Sequence, residues 1–470
     1  MMPAQAHDLI VLGSGSTAFA AALRAQSYGA RVLMIEKSMM GGTCINWGCV
    51  PSKTLIHAAL FRHEARLGER LGLGLERGPV DFSRLAAHKD RVVLQLRQER
   101  YLEVLKAVPG LEVVKGTARF VAPRTLEVLN QRFSCDRILI ATGGLPFVPP
   151  IQGLEGSGFL TSRSALLMRT LPKSLLVIGG GVIAVELGQM FHRLGCRVCI
   201  LEHGPRLLPA VEPEVAESLQ AALVAEGIKV VANASFCTVT TAGDLIAVNA
   251  DVDGRRHEFT SEKLLLATGT TPATRGIGLE RAGVELNRKG FVRVDRRMRT
   301  TAEGVWAAGD VTGGMMIATV GAREGIVAVD DMFNRECGCT MDYLAAPMAI
   351  FSDPEVGMVG LTEAQAREAG YRVAVNCLPV AAIPKARITG HTAGMIKMVA
   401  DGESGRLLGV HLACHRGAEL INEAALALQL RASVADLAGT LHVYPSIGEG
   451  LRLCAQGFSR DMSKLSCCAE

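Results

Sequence analysis

The chain has 470 residues, 49% apolar but only 4% aromatic, with 51 glycines and a formal charge of +4 at pH 7. That length holds two to four domains, and the glycine content suits an α/β protein rich in tight turns. No long basic run, no membrane-length apolar stretch and no secretion signal in residues 1–7 is present, so nucleic acid and membrane are excluded as partners and a cytoplasmic location is expected.

Asp8 to Leu12 is predicted as a short buried strand. It runs into Gly13-Ser-Gly15-Ser-Thr-Ala18 and an alanine-rich helix to Tyr28; a second strand, Arg31 to Ile35, ends at Glu36. The first glycine allows the tight turn, and the second lets the backbone approach a pyrophosphate seated on the helix N-terminus. Ala18 allows close packing of helix and strand, and Glu36 is placed to accept hydrogen bonds from a ribose. The pattern recurs at Ser174 to Ile178, Gly179-Gly-Gly181-Val-Ile-Ala184, a helix to Leu194, and Arg197 to Leu201 ending at Glu202. Glu36 lies 23 residues after Gly13, and Glu202 lies 23 after Gly179. One copy of such a pattern is weak evidence. Two in the same strand–helix–strand setting predict two dinucleotide sites. The matching segments Ile138 to Gly143 and Leu264 to Gly269 are each expected to close one of these sheets.

Thirteen cysteines in a reducing compartment are expected to be mainly thiols. Cys135, Cys196, Cys199, Cys237, Cys377, Cys414 and Cys454 read as small core residues, and Cys337 and Cys339 as structural. The pair in Cys44-Ile-Asn-Trp-Gly-Cys49-Val-Pro-Ser-Lys53 is different. At this spacing an ideal helix separates the cysteines by about 7.5 Å along its axis, beyond the usual ~4.4–6.8 Å of a disulfide. The first turn must therefore distort if they bridge, and Gly48 makes that cheap. A thiolate near a helix N-terminus is stabilised by the dipole.

This segment, preceded by Gly41-Gly-Thr43, resembles the redox-active segment of the superfamily that contains glutathione reductase and dihydrolipoamide dehydrogenase, the class I pyridine nucleotide–disulfide oxidoreductases. The resemblance implies an α/β fold with two Rossmann-like dinucleotide-binding domains and a C-terminal α+β dimerisation domain. It implies an FAD domain over 1–148, an NAD(P) domain over 149–270, a returning central segment over 271–345, a dimerisation domain over 346–458 and a tail over 459–470. It further implies a homodimer whose active sites combine both subunits. Cys49 is then the thiolate beside the flavin, Cys44 the exchanging thiol, and Lys53 with Glu186 the neighbouring ion pair. Trp306 to Asp310 resembles the segment whose Asp contacts the ribityl chain. Gly13, Gly15, Ala18, Glu36, Lys37, Gly42, Thr43, Lys53, Thr142, Gly143 and Asp310 are expected on the FAD side. Gly179, Gly181, Ala184, Glu186, Glu202, Arg206 and Gly269 are expected on the NAD(P)H side. Glu202 favours the free ribose of NADH, whereas Arg206 offers a charge for the phosphate of NADPH, so NADH or NADPH stays open.

The C-terminal part departs from the disulfide reductases. Their acid–base histidine is replaced in His442-Val-Tyr444-Pro445-Ser446-Ile-Gly-Glu449 by Tyr444, with Pro445 and Glu449 in register. His442, two residues away, would sit about 6.6 Å distant if the segment were a strand. A phenol with an ordinary pKa near ~10 is a poor acid–base group at neutral pH. Passing a soft metal between thiolates needs none, because each exchange swaps one sulfur ligand for another. The tail ends in Cys467-Cys468, an adjacent pair suited to collecting a soft cation. Together these features resemble the mercuric reductases, without the N-terminal metal-binding domain many of them carry. The resemblance implies that Hg(II) arrives as a thiol complex, is taken up by Cys467 and Cys468 and is passed to Cys44, Cys49 and Tyr444. Phe159, where these enzymes often have a metal-holding tyrosine, and the bulky Trp47 depart from the pattern. Competing readings are a thioredoxin-reductase-like or dihydrolipoamide-dehydrogenase-like disulfide oxidoreductase, and a non-catalytic soft-metal binder that keeps flavin as structure.

Overall fold

The computed structural model describes residues 7–75 and 78–461, so Cys467 and Cys468 lie outside the described residues. The chain divides into two units: Met1–Thr54, Arg84–Phe147 and Gly269–Asp342 form one, and Leu55–Ser83, Val148–Thr268 and Tyr343–Glu470 the other.

Unit one is built on a five-stranded parallel sheet in the order Val305–Ala307, Ile138–Ile140, Leu9–Leu12, Val32–Glu36, Leu111–Lys115. Leu9–Leu12 and Val32–Glu36 are buried at every position. Such unbroken burial is the mark of a parallel sheet covered on both faces. The helix Ser16–Ser27 turns Ala18, Ala21, Ala22 and Ala25 inward. The helix Ala318–Phe333 meets it through glycines: a Cβ on Gly321 would lie 2.5 Å from the Thr17 hydroxyl, and one on Gly325 would lie 2.6 Å from the Thr17 carbonyl. Small residues on both helices therefore set their close approach. One expectation is corrected. Ile138–Ile140 does not close this sheet; Val305–Ala307 pairs along its outer side and takes the edge. Both strands are fully buried apolar triplets, so local sequence does not say which lies outermost.

Unit two contains a four-stranded parallel sheet ordered Lys229–Val231, Arg197–Leu201, Ser174–Ile178, Lys263–Leu266. Here the segment expected to close the sheet does so. A three-stranded antiparallel meander, Ala234–Ala242, Leu245–Val252 and Arg255–Ser261, follows the Lys229–Val231 edge in the chain. The C-terminal part is a five-stranded antiparallel sheet in the order Met348–Ile350, Glu355–Gly360, Leu407–Cys414, Met395–Asp401, Val373–Pro379, with helices Gly417–Gln429 and Glu449–Gln456. Lys397 is buried in this sheet and bonded to Glu212 (3.0 Å), Glu214 (2.8 Å) and Glu363 (2.8 Å). Burial would lower the pKa of this amine, but the surrounding carboxylates outweigh it and hold the pKa above its usual value. No helix among the described residues is long and apolar enough to cross a membrane.

Candidate functional site

The two glycine turns have the geometry their spacing predicts. Gly13 has φ +112° and Gly179 φ +107°, and a Cβ on either would lie 2.4 Å from a carbonyl oxygen, of Ala141 and Ala267 respectively. Only glycine fits such a combination of handedness and contact. Gly15 and Gly181 then open their helices, and no side chain caps either end. Each helix start thus offers backbone N–H groups and the positive end of its dipole to an anion. Gly42 lies against Gly15 so closely that a Cβ on it would come within 2.6 Å of the Gly15 Cα. Ala18 and Ala184 are fully buried against their sheets.

The acidic residues end their strands as expected. Glu36 accepts from the Ser14 hydroxyl (2.6 Å) and the Ser38 N–H (2.6 Å). Glu202 accepts from the Gly204 N–H (2.6 Å) and faces Gly180, whose added Cβ would lie 2.7 Å from its other oxygen. Lys37 is exposed. Arg206 folds back on its own turn and donates to the carbonyls of Leu208 (2.8 Å) and Pro209 (3.1 Å), so it must release them before it can meet a phosphate. Two polar groups in unit one have surroundings that fit FAD. The Thr142 hydroxyl is buried with no hydrogen bond, and burial pushes the Asp310 carboxyl above its usual range. Gly143 (φ +74°) and Gly269 (φ +105°) make the turns after their strands. The uncapped helix, the paired glycines and these polar groups form a cradle that a flavin dinucleotide would satisfy.

The cysteine pair sits where two helices meet. The expected distortion takes the form of a break: Gly42–Trp47 ends, Gly48 leaves helical geometry (φ −119°, ψ −116°), and Cys49–Arg70 begins. A Cβ on Gly48 would lie 3.0 Å from the Thr43 carbonyl and 3.1 Å from the Cys44 Cα, so any side chain there would press on the turn that carries Cys44. Asn46 locks this turn by donating to the carbonyls of Met40 (2.9 Å) and Gly42 (2.8 Å) while accepting from Arg97 (3.1 Å). Both cysteines are thiols, Cys44 half-buried and Cys49 exposed at the start of a 22-residue helix. The hydrogen bond to Cys49 pushes the Cys44 thiol well up; burial and the Cys49 charge add to this, and Lys53 opposes it. Cys44 therefore holds its proton more tightly than an ordinary thiol.

Tyr101 was missed from sequence. It lies on a π-helical segment, Gln98–Leu102, with its ring edge-on to Phe19 at 4.7 Å. Burial raises its phenol pKa, and Cys44 and Cys49 raise it further, which places the ring within electrostatic reach of the thiols. A π-turn inside a helix often marks a functional position, but no spacing in the sequence announces this one.

In unit two the segment around Tyr444 is irregular backbone, which corrects the strand geometry considered for it. Pro445 follows through a cis peptide, and Tyr444 is 50% exposed beside the exposed Leu441 and Val443. His442 is engaged at both ring nitrogens, by the Thr440 carbonyl (3.0 Å) and by Glu423 (2.8 Å), and the bond to Glu423 raises its pKa. Glu449 is buried with one oxygen unbonded, and burial pushes its carboxyl up against the opposing charges of Arg452 and His442. Glu186 accepts from the Phe351 N–H at 2.9 Å. Lys53 belongs to unit one and Glu186 to unit two, so their pairing remains a proposal. Phe159 packs into the apolar core around Ile178, Leu201 and Leu264. Trp47 is the last residue of its short helix and is half-buried.

The remaining cysteines partly depart from expectation. Cys377 is exposed on the edge strand Val373–Pro379, and Cys199 and Cys237 are only half-buried. The sulfurs of Cys337 and Cys339 are bonded to each other, because the left-handed turn at Gly338 (φ +60°) brings their Cα atoms to 5.2 Å.

Comparison with known proteins agrees with this arrangement. The Pyridine nucleotide-disulphide oxidoreductase family pattern matches residues 7–325, and its dimerisation domain matches residues 346–455. The chain is 40% identical over 463 residues to a mercuric reductase from Lysinibacillus sphaericus, covering 98% of this chain and 84% of that protein. It is 39% identical over 475 residues to a mercuric reductase from Streptomyces lividans, covering 99% of each. It is also 38% identical over 465 residues to a dihydrolipoyl dehydrogenase from Thermus scotoductus, covering 97% of this chain and 98% of that one. Among solved structures, the Cu(II) complex of the HOCl-induced flavoprotein disulfide reductase RclA from Escherichia coli superposes with a TM-score of 0.85 at 32% identity, covering 96% of this chain and 99% of that chain. Two glycine turns with their acidic strand ends, a thiol pair at a helix junction and these matches along nearly the whole chain lead to one conclusion: the protein belongs to the pyridine nucleotide-disulphide oxidoreductase family and is a flavoprotein oxidoreductase that works with FAD and NAD(P)H.

Proposed function

We propose that this enzyme reduces Hg(II) to Hg(0) with NAD(P)H. The observation that carries the reading is the state of the Tyr444 segment. Its imidazole, His442, is held at both nitrogens, and the residue presented beside Pro445 is a phenol. Cutting a substrate disulfide releases a thiolate that needs a proton, whereas moving Hg(II) between sulfur ligands does not. The mercuric reductase relatives support the same substrate.

In this reading Glu202 holds the adenosine ribose of the coenzyme and Gly181 opens the phosphate-binding turn. Bound FAD supplies the two-electron link between NAD(P)H and the thiols. Cys467 and Cys468 take Hg(II) from its thiol complex, and Cys49 and Cys44 replace them as ligands in turn. The Cys44 proton must leave before that thiol ligates the metal, which Lys53 favours. One hydride from NAD(P)H balances Hg(II) to Hg(0), its two electrons reducing the metal and its proton released, with NAD(P)⁺ and the freed thiolates as the other products. The exposed loop at Leu441, Val443 and Tyr444 is the surface a second subunit covers, so that the site forms across a homodimer of cytoplasmic enzyme.

The dihydrolipoyl dehydrogenase relative from Thermus scotoductus keeps a disulfide substrate as the second reading. A single assay separates the two. NAD(P)H oxidation is followed with Hg(II) in excess thiol, and separately with lipoamide and thioredoxin, while volatile mercury is trapped. Mercury vapour in step with NAD(P)H consumption is expected. Rapid turnover of lipoamide or thioredoxin with no mercury released would overturn the proposal.

A further inference from the structure

Outside the redox site, unit two gathers Glu64, His391 and His415 from three distant segments. Glu64 lies on the helix Cys49–Arg70, His391 follows the helix Pro384–Thr389, and His415 follows the strand Leu407–Cys414. The ligand atoms these side chains offer all lie within 4.8 Å of one another. His391 Nε2 is 2.8 Å from Glu64 Oε1, and the two imidazoles stack with centroids 4.0 Å apart. His391 Nδ1 is buried with no hydrogen-bond partner, so hydrogen bonding within the fold satisfies only half of this ring.

A second trio, His63, Glu226 and Asp353, sets the contrast. There Arg193 already supplies the cation, bonded to both carboxylates. No ion pair to an arginine or lysine is found at Glu64 among the described residues; His391 is the group bonded to it.

We propose that Glu64, His391 and His415 form a binding site for a divalent first-row transition ion of the zinc class. Two imidazoles and one carboxylate are a ligand set suited to zinc, and a fourth position is left for water on the open side, where the Glu64 side chain is 34% exposed. Zinc bonds of ~2.0–2.2 Å place tetrahedral ligand atoms ~3.3–3.6 Å apart, so the widest gap must close by little more than an ångström, within reach of side-chain adjustment. The ion would tie the helix that carries Glu64 to the C-terminal sheet. This site is independent of the Hg(II) reading.

The test uses the FAD-loaded full chain with Cys44, Cys49, Cys467 and Cys468 changed to Ser, which removes the two thiol pairs suited to chelating zinc. Equilibrium dialysis against Zn²⁺ should find one bound ion per chain, weakened roughly tenfold or more by His391→Gln or His415→Gln. Zinc should also raise the melting temperature of this four-serine chain and not that of the histidine variants made in it. Should those variants fold poorly, zinc protection of His391 and His415 from acylation by diethyl pyrocarbonate, read by mass spectrometry on the unsubstituted chain, gives the answer. No bound zinc, or binding unchanged by the histidine substitutions, would overturn the proposal, as would equal acylation with and without zinc.

Discussion

The two glycine turns share a frame and differ in what surrounds it. Each has a left-handed glycine pressed on a carbonyl, an uncapped helix start and an acidic strand end at the same spacing. In unit one Ser14 stands between the glycines and bonds Glu36, and its oxygen also accepts the Gly41 N–H at 3.2 Å. In unit two that place belongs to Gly180, and Glu202 is held only through the Gly204 N–H among the described residues. The first turn is thus knitted into the chain leading to the thiols, while the second leaves its carboxylate freer, as the proposed role of Glu202 at a coenzyme ribose requires. A cofactor that stays and a coenzyme that exchanges ask for this difference.

The largest effects should come from breaking the shared frame. Gly13→Ala and Gly179→Ala each force a side chain into left-handed backbone and onto a carbonyl, at a cost of about 2–5 kcal/mol. Gly13→Ala should give protein that no longer retains FAD, seen as loss of the yellow absorbance. Gly179→Ala should stay yellow but lose flavin reduction by NAD(P)H in stopped flow. Equal behaviour of the two variants would remove the distinction between the sites.

Next come the acidic residues. Removing a hydrogen bond to a charged group costs about 1.5–3 kcal/mol, or roughly 10–100-fold. Glu202→Ala should raise the KM for NADH by about that factor and shift preference toward NADPH, since the repulsion of an added phosphate is gone. Strict NADPH dependence in the unaltered enzyme would contradict this role for Glu202.

A smaller effect sharpens the contrast itself. Ser14→Ala removes one bond to Glu36, worth about 1 kcal/mol, and should weaken FAD binding roughly fivefold, measured by reconstitution of the apoprotein. Gly180→Ser, which imitates unit one, should harm rather than help. Its Cβ would lie 2.7 Å from both Glu202 and Leu207. NADH binding that improves in this variant would show that the missing serine is not a packing requirement.

The smallest effect lies away from both turns. The His442 pKa is raised by its bond to Glu423, so this pair stabilises the fold fully below the unfolded histidine value near ~6.5. That contribution is lost as pH rises through the raised value. Glu423→Gln should therefore lower the melting temperature more at pH 6 than at pH 9. An equal loss at both would mean that the charge on His442 is not involved.

Much of the candidate site was legible because its constraints are local. Gly13 and Gly179 answer to backbone handedness, Glu36 and Glu202 to strand length, and Gly48 to the spacing between Cys44 and Cys49. Each is dictated by neighbours a few residues away, and short-range sterics transmit such requirements directly into residue type. What remained hidden depends on residues distant in sequence. Which buried triplet forms the edge of the first sheet follows from how Val305–Ala307 returns to pair with Ile138–Ile140. Tyr101 acquires its place beside the thiols only when its helix is laid against Phe19. His442 has both ring nitrogens engaged only because Glu423, on another element, meets the one that Thr440 leaves open. Glu64, His391 and His415 carry no shared motif, since hundreds of residues separate the first from the others. The sequence alone therefore determined the two nucleotide-binding turns and the thiol junction, where chain geometry restricts the choice of residue. Tertiary packing decided strand order, side-chain availability and the histidine–carboxylate cluster, because those follow from which distant surfaces meet.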